Sequence, residues 1–289
     1  MRTELTDSWR FVRLAPDSTK EQADKAEKAP VDMPHDWLIW QADRLYEDGA
    51  GWYYRTLDFS GEEINKRIVL HFDGVYMDAD ILLNGETVLT HRYGYTAFFA
   101  ELSGRVHEGQ NELCVHIRHQ SPNSRWYSGA GIFRPVTLSI TEPFALLEDG
   151  LRVETVPAAD GSWEVRGTAE ATGTPDGAVL TAELLAPDGK PAGTLSQEGK
   201  SLNAFSFRIA EPSLWDTEHP SLYTLRLTLH EDTVEKKIGL RETRFDPEKG
   251  FFLNGRHMKL HGVCLHHDLG LLGAAFHRDA ALRQLRKSK

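Results

Sequence analysis

The segment Gly250-Phe-Phe-Leu-Asn-Gly-Arg-His-Met-Lys-Leu-His-Gly-Val-Cys-Leu-His-His-Asp268 holds the residues with the most chemical potential in this chain. Asn254-Gly255 suits a tight turn, and the apolar run after it predicts a buried strand, Met258–Leu265, ending in His266, His267 and Asp268. Two imidazoles and a carboxylate at a strand end could line the rim of a site and exchange hydrogen bonds with a ligand. A metal reading is poorer. Adjacent strand residues point to opposite faces, and His-His-Asp lacks a standard ligand spacing. Pro34-His35-Asp36-Trp37 offers a second imidazole–carboxylate pair, but neighbours in sequence cannot orient one another as a triad does, and no activated serine motif accompanies them. Asn123 and Arg125, followed by Trp126 and Tyr127, form a third polar and aromatic group.

Elements must hold these groups, and composition bounds what they can be. A length of 289 residues predicts about two domains, with 40% hydrophobic residues and a mean hydropathy of −0.44. No apolar run approaches the roughly 18 residues of a membrane span. Met1-Arg-Thr-Glu-Leu-Thr-Asp-Ser-Trp9 lacks the apolar core of a signal peptide, so a cytoplasmic location is expected unless a leader has been removed. The net charge of −10 repels phosphate backbones, and no basic stripe offsets it, which argues against nucleic acid and for a neutral ligand. Cys114 and Cys264, the only cysteines, make neither a disulfide framework nor a zinc site.

Helix signals are scarce before residue 275. Short alternating runs separated by Gly, Asn, Asp and Pro predict sandwich architecture. Ala79–Leu83 and Glu86–His91 flank Asn84-Gly85, the residue pair of a two-residue hairpin. With Arg67–Asp73, Asn111–Arg118 and Val136–Ile140 they predict one antiparallel sandwich over residues 1–143. After a boundary at Pro143 to Gly150, strands at Leu151–Val156, Trp163–Thr168, Leu180–Leu185, Ala204–Ile209 and Tyr223–His230 predict a smaller sandwich over 144–245. Pro187-Asp-Gly-Lys190 is a turn between two of them. Ser18 to Lys28 reads either as a solvated helix or as an exposed loop.

Several motifs in one order resemble glycoside hydrolase family 2, the β-galactosidases, β-glucuronidases and β-mannosidases. They are Pro34-His-Asp-Trp37, Gly51-Trp-Tyr-Tyr-Arg55, Phe72-Asp-Gly-Val75, Asn84-Gly85, Tyr93-Gly-Tyr-Thr96, Arg125-Trp-Tyr-Ser-Gly-Ala-Gly-Ile-Phe-Arg134, Leu214-Trp-Asp-Thr-Glu-His-Pro220 and Phe251-Phe-Leu-Asn-Gly255. The resemblance covers essentially the whole chain. It implies a mainly β fold: a jelly-roll sugar-binding domain at 1–143 and an immunoglobulin-like β-sandwich at 144–245. The first strand and helix of a truncated (β/α)8 barrel would occupy 246–289, the helix near Arg278–Lys287. A barrel usually takes roughly 250 residues, so the chain is expected to be the N-terminal part of a longer enzyme.

In this family two glutamates on later barrel strands do the chemistry of retaining hydrolysis, about 5–5.5 Å apart. The single Asn-Glu pair here, Asn111-Glu112, sits in a jelly-roll strand and is not that pair. The chain is therefore expected to be inactive alone, with no catalytic residue, cofactor or metal of its own. By the same resemblance His266 and Asp268 would meet sugar hydroxyls at the barrel mouth, and Asn123 and Arg125 would reach it from the jelly roll. The β-galactosidases carry an acidic residue where this chain has Arg125. An arginine there could favour a carboxylated sugar or pair within the domain. His-His-Asp-Leu-Gly (266–270) leans to the galactosidase type. The implied partners are a β-linked carbohydrate and either a second copy or a complementing C-terminal chain. The rival reading is a stand-alone carbohydrate-binding module, since jelly rolls are common lectin scaffolds. Against it, Phe276, Ala280, Ala281, Leu282 and Leu285 space an apolar helix face that a binding module has no reason to keep.

Overall fold

A computed structural model describes residues 2–41, 43–123, 127–147, 149–173, 177–198 and 202–288, with 198, 202 and 203 traced by their backbone alone. The chain forms two compact units, Met1–Ile140 with Val263–Lys289, and Thr141–Gly262.

The first unit contains β1 (Arg2–Glu4), β2 (Trp9–Leu14), α1 (Lys20–Lys25), β3 (Ala29–Val31), β4 (Gly49–Phe59), β5 (Arg67–Phe72), β6 (Ala79–Leu83), β7 (Glu86–His91), β8 (Phe98–Glu101), β9 (Gly109–His119) and β10 (Val136–Thr141). One sheet runs β1-β10-β5-β8 and the other β3-β2-β4-β9-β6-β7. The long strands β4 and β9 pair antiparallel from Gly49 opposite His119 to Phe59 opposite Gly109. Strand alternation sends Leu113, Val115 and Ile117 of β9 into the core with Tyr53 and Leu57 of β4 and Ile68, Leu70 and Phe72 of β5. Between β6 and β7, Asn84 and Gly85 take left-handed torsions (φ 51° and 85°), which the hairpin turn requires.

The opposite face of the six-stranded sheet is also covered. Ala23 of α1 is buried with Trp52, Tyr54 and Cys114. Thr19 and Gln22 form a reciprocal cap at the helix start. Tyr54 Oη donates to Asp24 at 2.8 Å, and Lys20 Nζ lies 3.1 Å from Glu112. Segment 18–28 thus holds a short helix, Lys20–Lys25, that is mostly exposed but buries Ala23. Glu112 belongs to this lattice.

The second unit contains β11 (Arg152–Pro157), β12 (Trp163–Ala169), β13 (Val179–Leu185), β14 (Pro191–Glu198), β15 (Leu202–Ile209), β16 (Tyr223–Leu229), β17 (Asp232–Ile238), β18 (Thr243–Asp246), β19 (Gly250–Leu253) and β20 (Arg256–His257). A three-stranded sheet, β11-β12-β15, and a four-stranded one, β14-β13-β16-β17, enclose Trp163, Val165, Phe205, Leu184, Leu225 and Leu227. This is an immunoglobulin-like sandwich. The hairpin β19–β20 turns at Asn254 and Gly255 and pairs with β18.

Of the expected barrel start, the strand does not form among the described residues. Met258–Leu265, expected as a buried strand, has no ladder partner among the described residues, and Leu260, Val263 and Leu265 are 66%, 67% and 54% exposed. A strand exists only when neighbours take its N–H and C=O groups, whatever its side-chain pattern. The helix α2 (Arg278–Ser288) does form, with none of its residues buried. Residues up to Gly262 go with the second unit and those from Val263 with the first. No helix among the described residues is long and apolar enough to cross a membrane.

Candidate functional site

Everything that gathers at the candidate site is tied to one buried carboxylate. Residues 34–38 run alongside 130–132, with His35 N donating to Ile132 O at 2.7 Å and Trp37 N to Ala130 O at 3.0 Å. This buries Asp36 to 1% exposure. Its Oδ1 accepts from Leu38 N and Ala130 N, both at 3.0 Å. Its Oδ2 accepts from Tyr127 Oη at 2.5 Å and from Ala274 N at 2.8 Å. Four donors in a dry site are what a buried charge needs to be tolerated. The last of them belongs to the far end of the sequence. A second tie, Phe276 N to Phe133 O at 2.8 Å, fixes the same segment.

Small residues make the approach possible. Gly129 has φ 67°, and a methyl there would strike the Ala274 methyl and come within 2.6 Å of Asp36 Oδ2. Replacing Gly129 with alanine is expected to lower the stability of the first unit by about 2 kcal/mol, from left-handed strain plus overpacking. Urea unfolding followed at residues of this unit would measure it, and an unchanged midpoint would contradict the account.

The first unit holds a cavity of about 380 Å³, and the stretch after Val263 meets one of its lining residues, Ser128. Tyr46, His119, Ser121, Asn123, Tyr127 and Ser128 contribute to its lining. His267 Nε2 donates to Ser128 O at 3.1 Å, and its ring meets Tyr95 edge-on at 5.9 Å. Asn123 Nδ2 donates to Ser128 Oγ at 3.2 Å. His119 Nδ1 lies 3.1 Å from Glu47 O, and its Nε2 lies 3.3 Å from Ser128 Oγ. A carbonyl can only accept, so Nδ1 carries the proton and Nε2 faces the serine hydroxyl as an acceptor, in competition with Gly129 O at 3.1 Å. Burial lowers the pKa of His119, against smaller opposing effects of the Glu47 carbonyl, Asp48 and Asp36. Burial raises that of Tyr127, reinforced by Asp36 and, more weakly, by Asp268. The site therefore offers uncharged donors and acceptors rather than an ionised acid–base pair.

Two family descriptions match the sequence: the sugar binding domain of glycosyl hydrolases family 2 over residues 15–143, and glycosyl hydrolases family 2 over residues 149–241. The chain belongs to glycoside hydrolase family 2. Over 96% of its length this family 2 chain is 29% identical to a putative β-glucuronidase of Formosa agariphila, covering 28% of that protein. Over 98% of its length it is 32% identical to a β-galactosidase of Bacteroides ovatus, covering 36% of it. A solved family 2 structure from Bacteroides cellulosilyticus superposes with a TM-score of 0.88 at 31% identity, over 99% of this chain and 42% of that one. The family 2 chain thus spans about a third of the length of these curated relatives. Glucuronidase and galactosidase names stand side by side, so likeness alone does not single out galactose.

Of the four expected contact residues, Asn123 lines the cavity. Asp268 is half-buried, close enough to bear on Tyr127. His266 is exposed, whereas its neighbour His267 makes the contact with Ser128. Arg125 and Trp126 lie outside the described residues. Sequence reasoning missed His119 and Tyr46, which carry no motif, and placed Asp36 in a structural segment without its partners. Among the described residues no group of three or more His, Cys, Asp or Glu side chains is arranged to hold a metal ion.

Proposed function

We propose that this chain is the non-catalytic front part of a retaining exo-β-glycosidase of the β-galactosidase type. In the whole protein it would frame the substrate pocket while glutamates of a complete barrel cleave a terminal β-glycosidic bond. The observation that carries this reading is the four-donor anchorage of Asp36. It ties residues 273–276 to the jelly roll, in the same stretch as His267, which meets Ser128, and Asp268, which bears on Tyr127. A stand-alone lectin has no need to hold such a segment at its cavity. A β-glucuronidase is the second reading, favoured by the name of the Formosa agariphila relative.

The test is hydrolysis of aryl β-galactosides, β-glucuronides and β-mannosides by the purified 289-residue chain. A protein in which the same segment precedes a complete barrel serves as the comparison. No turnover by the chain, with galactoside cleavage by the longer protein, is the expected pattern. Turnover by the chain alone would mean that a carboxylate pair within these residues does the chemistry. Preference of the longer protein for glucuronides would select the second reading.

A further inference from the structure

Asp36 holds more than the backbone it touches. Gly273 stands against its carboxylate: a methyl there would strike Asp36 Oδ2 and come within 2.8 Å of Ile39 Cβ and 3.0 Å of the Tyr127 hydroxyl. Its φ of 60° is left-handed as well, a conformation that favours glycine. The next residue, Ala274, is buried and donates to Oδ2. Backbone, hydroxyl and carboxylate thus form one close-fitting seat for residues 273 and 274.

A closed turn carries that seat back along the chain. Leu269 N donates to Gly273 O at 2.8 Å, and Gly273 N donates to Gly270 O at 2.9 Å. Residues 269–273 therefore form a ring whose two ends are bonded to each other. Where Gly273 is seated, Leu269 follows, and Asp268 and His267 are the next two residues back. On their other side the hold is weak. Among the described residues no ladder pairs the stretch 259–265, and Leu260, Val263 and Leu265 are exposed. His267 itself makes one neutral hydrogen bond, to Ser128 O, and one ring-edge contact, with Tyr95. A neutral hydrogen bond contributes little net free energy, whereas the donors on the buried Asp36 carboxylate are charge-assisted.

We propose that Asp36 is a positioning residue for the glycosidase reaction, acting through the 269–273 turn to place His267 and Asp268. This role rests on the glycosidase reading above and adds to it a residue that touches no substrate. A displacement of about 1 Å caused far from the chemistry can cost roughly 100-fold in rate.

The 289-residue chain tests the linkage without any reaction. Nuclear Overhauser contacts between the His267 and Tyr95 rings are expected in the parent and lost in Asp36→Asn. They should be lost equally in Gly273→Ala, which unseats the turn and leaves the carboxylate in place. Their persistence in a chain whose Ala274 amide has lost its protection overturns the proposal. The longer protein tests the consequence. Both substitutions should raise its KM for the aryl β-glycoside it cleaves and lower kcat/KM by about tenfold or more. Val115→Ala, a truncation in the core at β9, lowers only the folded fraction, so maximal rate falls with that fraction and KM stays. If Asp36→Asn behaves like Val115→Ala, the proposal is overturned and the glycosidase reading stands. If the unsubstituted longer protein cleaves no β-glycoside, the glycosidase reading fails and the positioning role falls with it.

Discussion

Replacing Asp36 with alanine is expected to destabilise the first unit by about 3–5 kcal/mol, the cost of breaking a buried charged network from one side. Leu38 N, Ala130 N, Tyr127 Oη and Ala274 N would all lose their acceptor in a site 1% exposed. The asparagine variant separates two roles. Its oxygen can still accept from Leu38 N and Ala130 N, and its amide can donate to Tyr127 Oη. Ala274 N–H then faces another N–H, so Asp36→Asn should lose about 1–3 kcal/mol. It should also release residues 273–276 selectively. Hydrogen exchange would show it: Ala274 and Phe276 amides lose protection while Ala130 keeps it. Uniform loss across the unit, or none at Ala274, would contradict the role assigned to Asp36.

The second large effect is a loss of stability in mild acid. His35 is half-buried against Phe11, its ring 4.9 Å away, with Nδ1 2.7 Å from Tyr53 Oη. Burial holds its pKa down to about 4, against a smaller opposing pull from Asp36. The unfolded chain binds this proton below about pH 6.5, and the folded chain only below about 4. Stability is therefore full above 6.5 and falls as pH drops through that window, by about 3 kcal/mol at roughly 1.4 kcal/mol per pH unit. His116 and His119 are lowered by burial as well and act in the same direction. Urea midpoints at pH 7.5, 5.5 and 4.5 should decline steadily. In His35→Asn, which keeps an acceptor for Tyr53 but cannot titrate, the decline should be shallower. A wild-type midpoint flat across this range would refute the assignment.

Strands whose two faces have different surroundings announce themselves. Glu112-Leu-Cys-Val-His-Ile117 alternates because Leu113, Val115 and Ile117 meet the core. The hairpin at Asn84-Gly85 was legible because few residues tolerate its torsions. The strands that sequence left unread in the second unit include β14, β17 and β18, each at an edge of its sheet. Edge strands carry polar and charged residues that blur the alternation, as in Asp232-Thr-Val-Glu-Lys-Lys-Ile238. The opposite error occurred at Met258–Leu265. Its apolar pattern is strand-like, but a strand is a property of a pair, and among the described residues no ladder continues past the Met258 N–Phe251 O bond of 3.0 Å.

For the site, sequence by itself determined the family and the two sandwiches, because local spacing and turn chemistry encode them; Asn123 entered only through the family resemblance. It set apart Pro34-His-Asp-Trp37 as structural without saying what it holds. That Asp36 gathers donors from residues 38, 127, 130 and 274 was decided only by the tertiary structure. So was the arrival of Tyr46 and His119 at one cavity. Contacts across 238 positions leave no local period to read, since either end is an ordinary residue until the fold brings its partner within hydrogen-bonding reach.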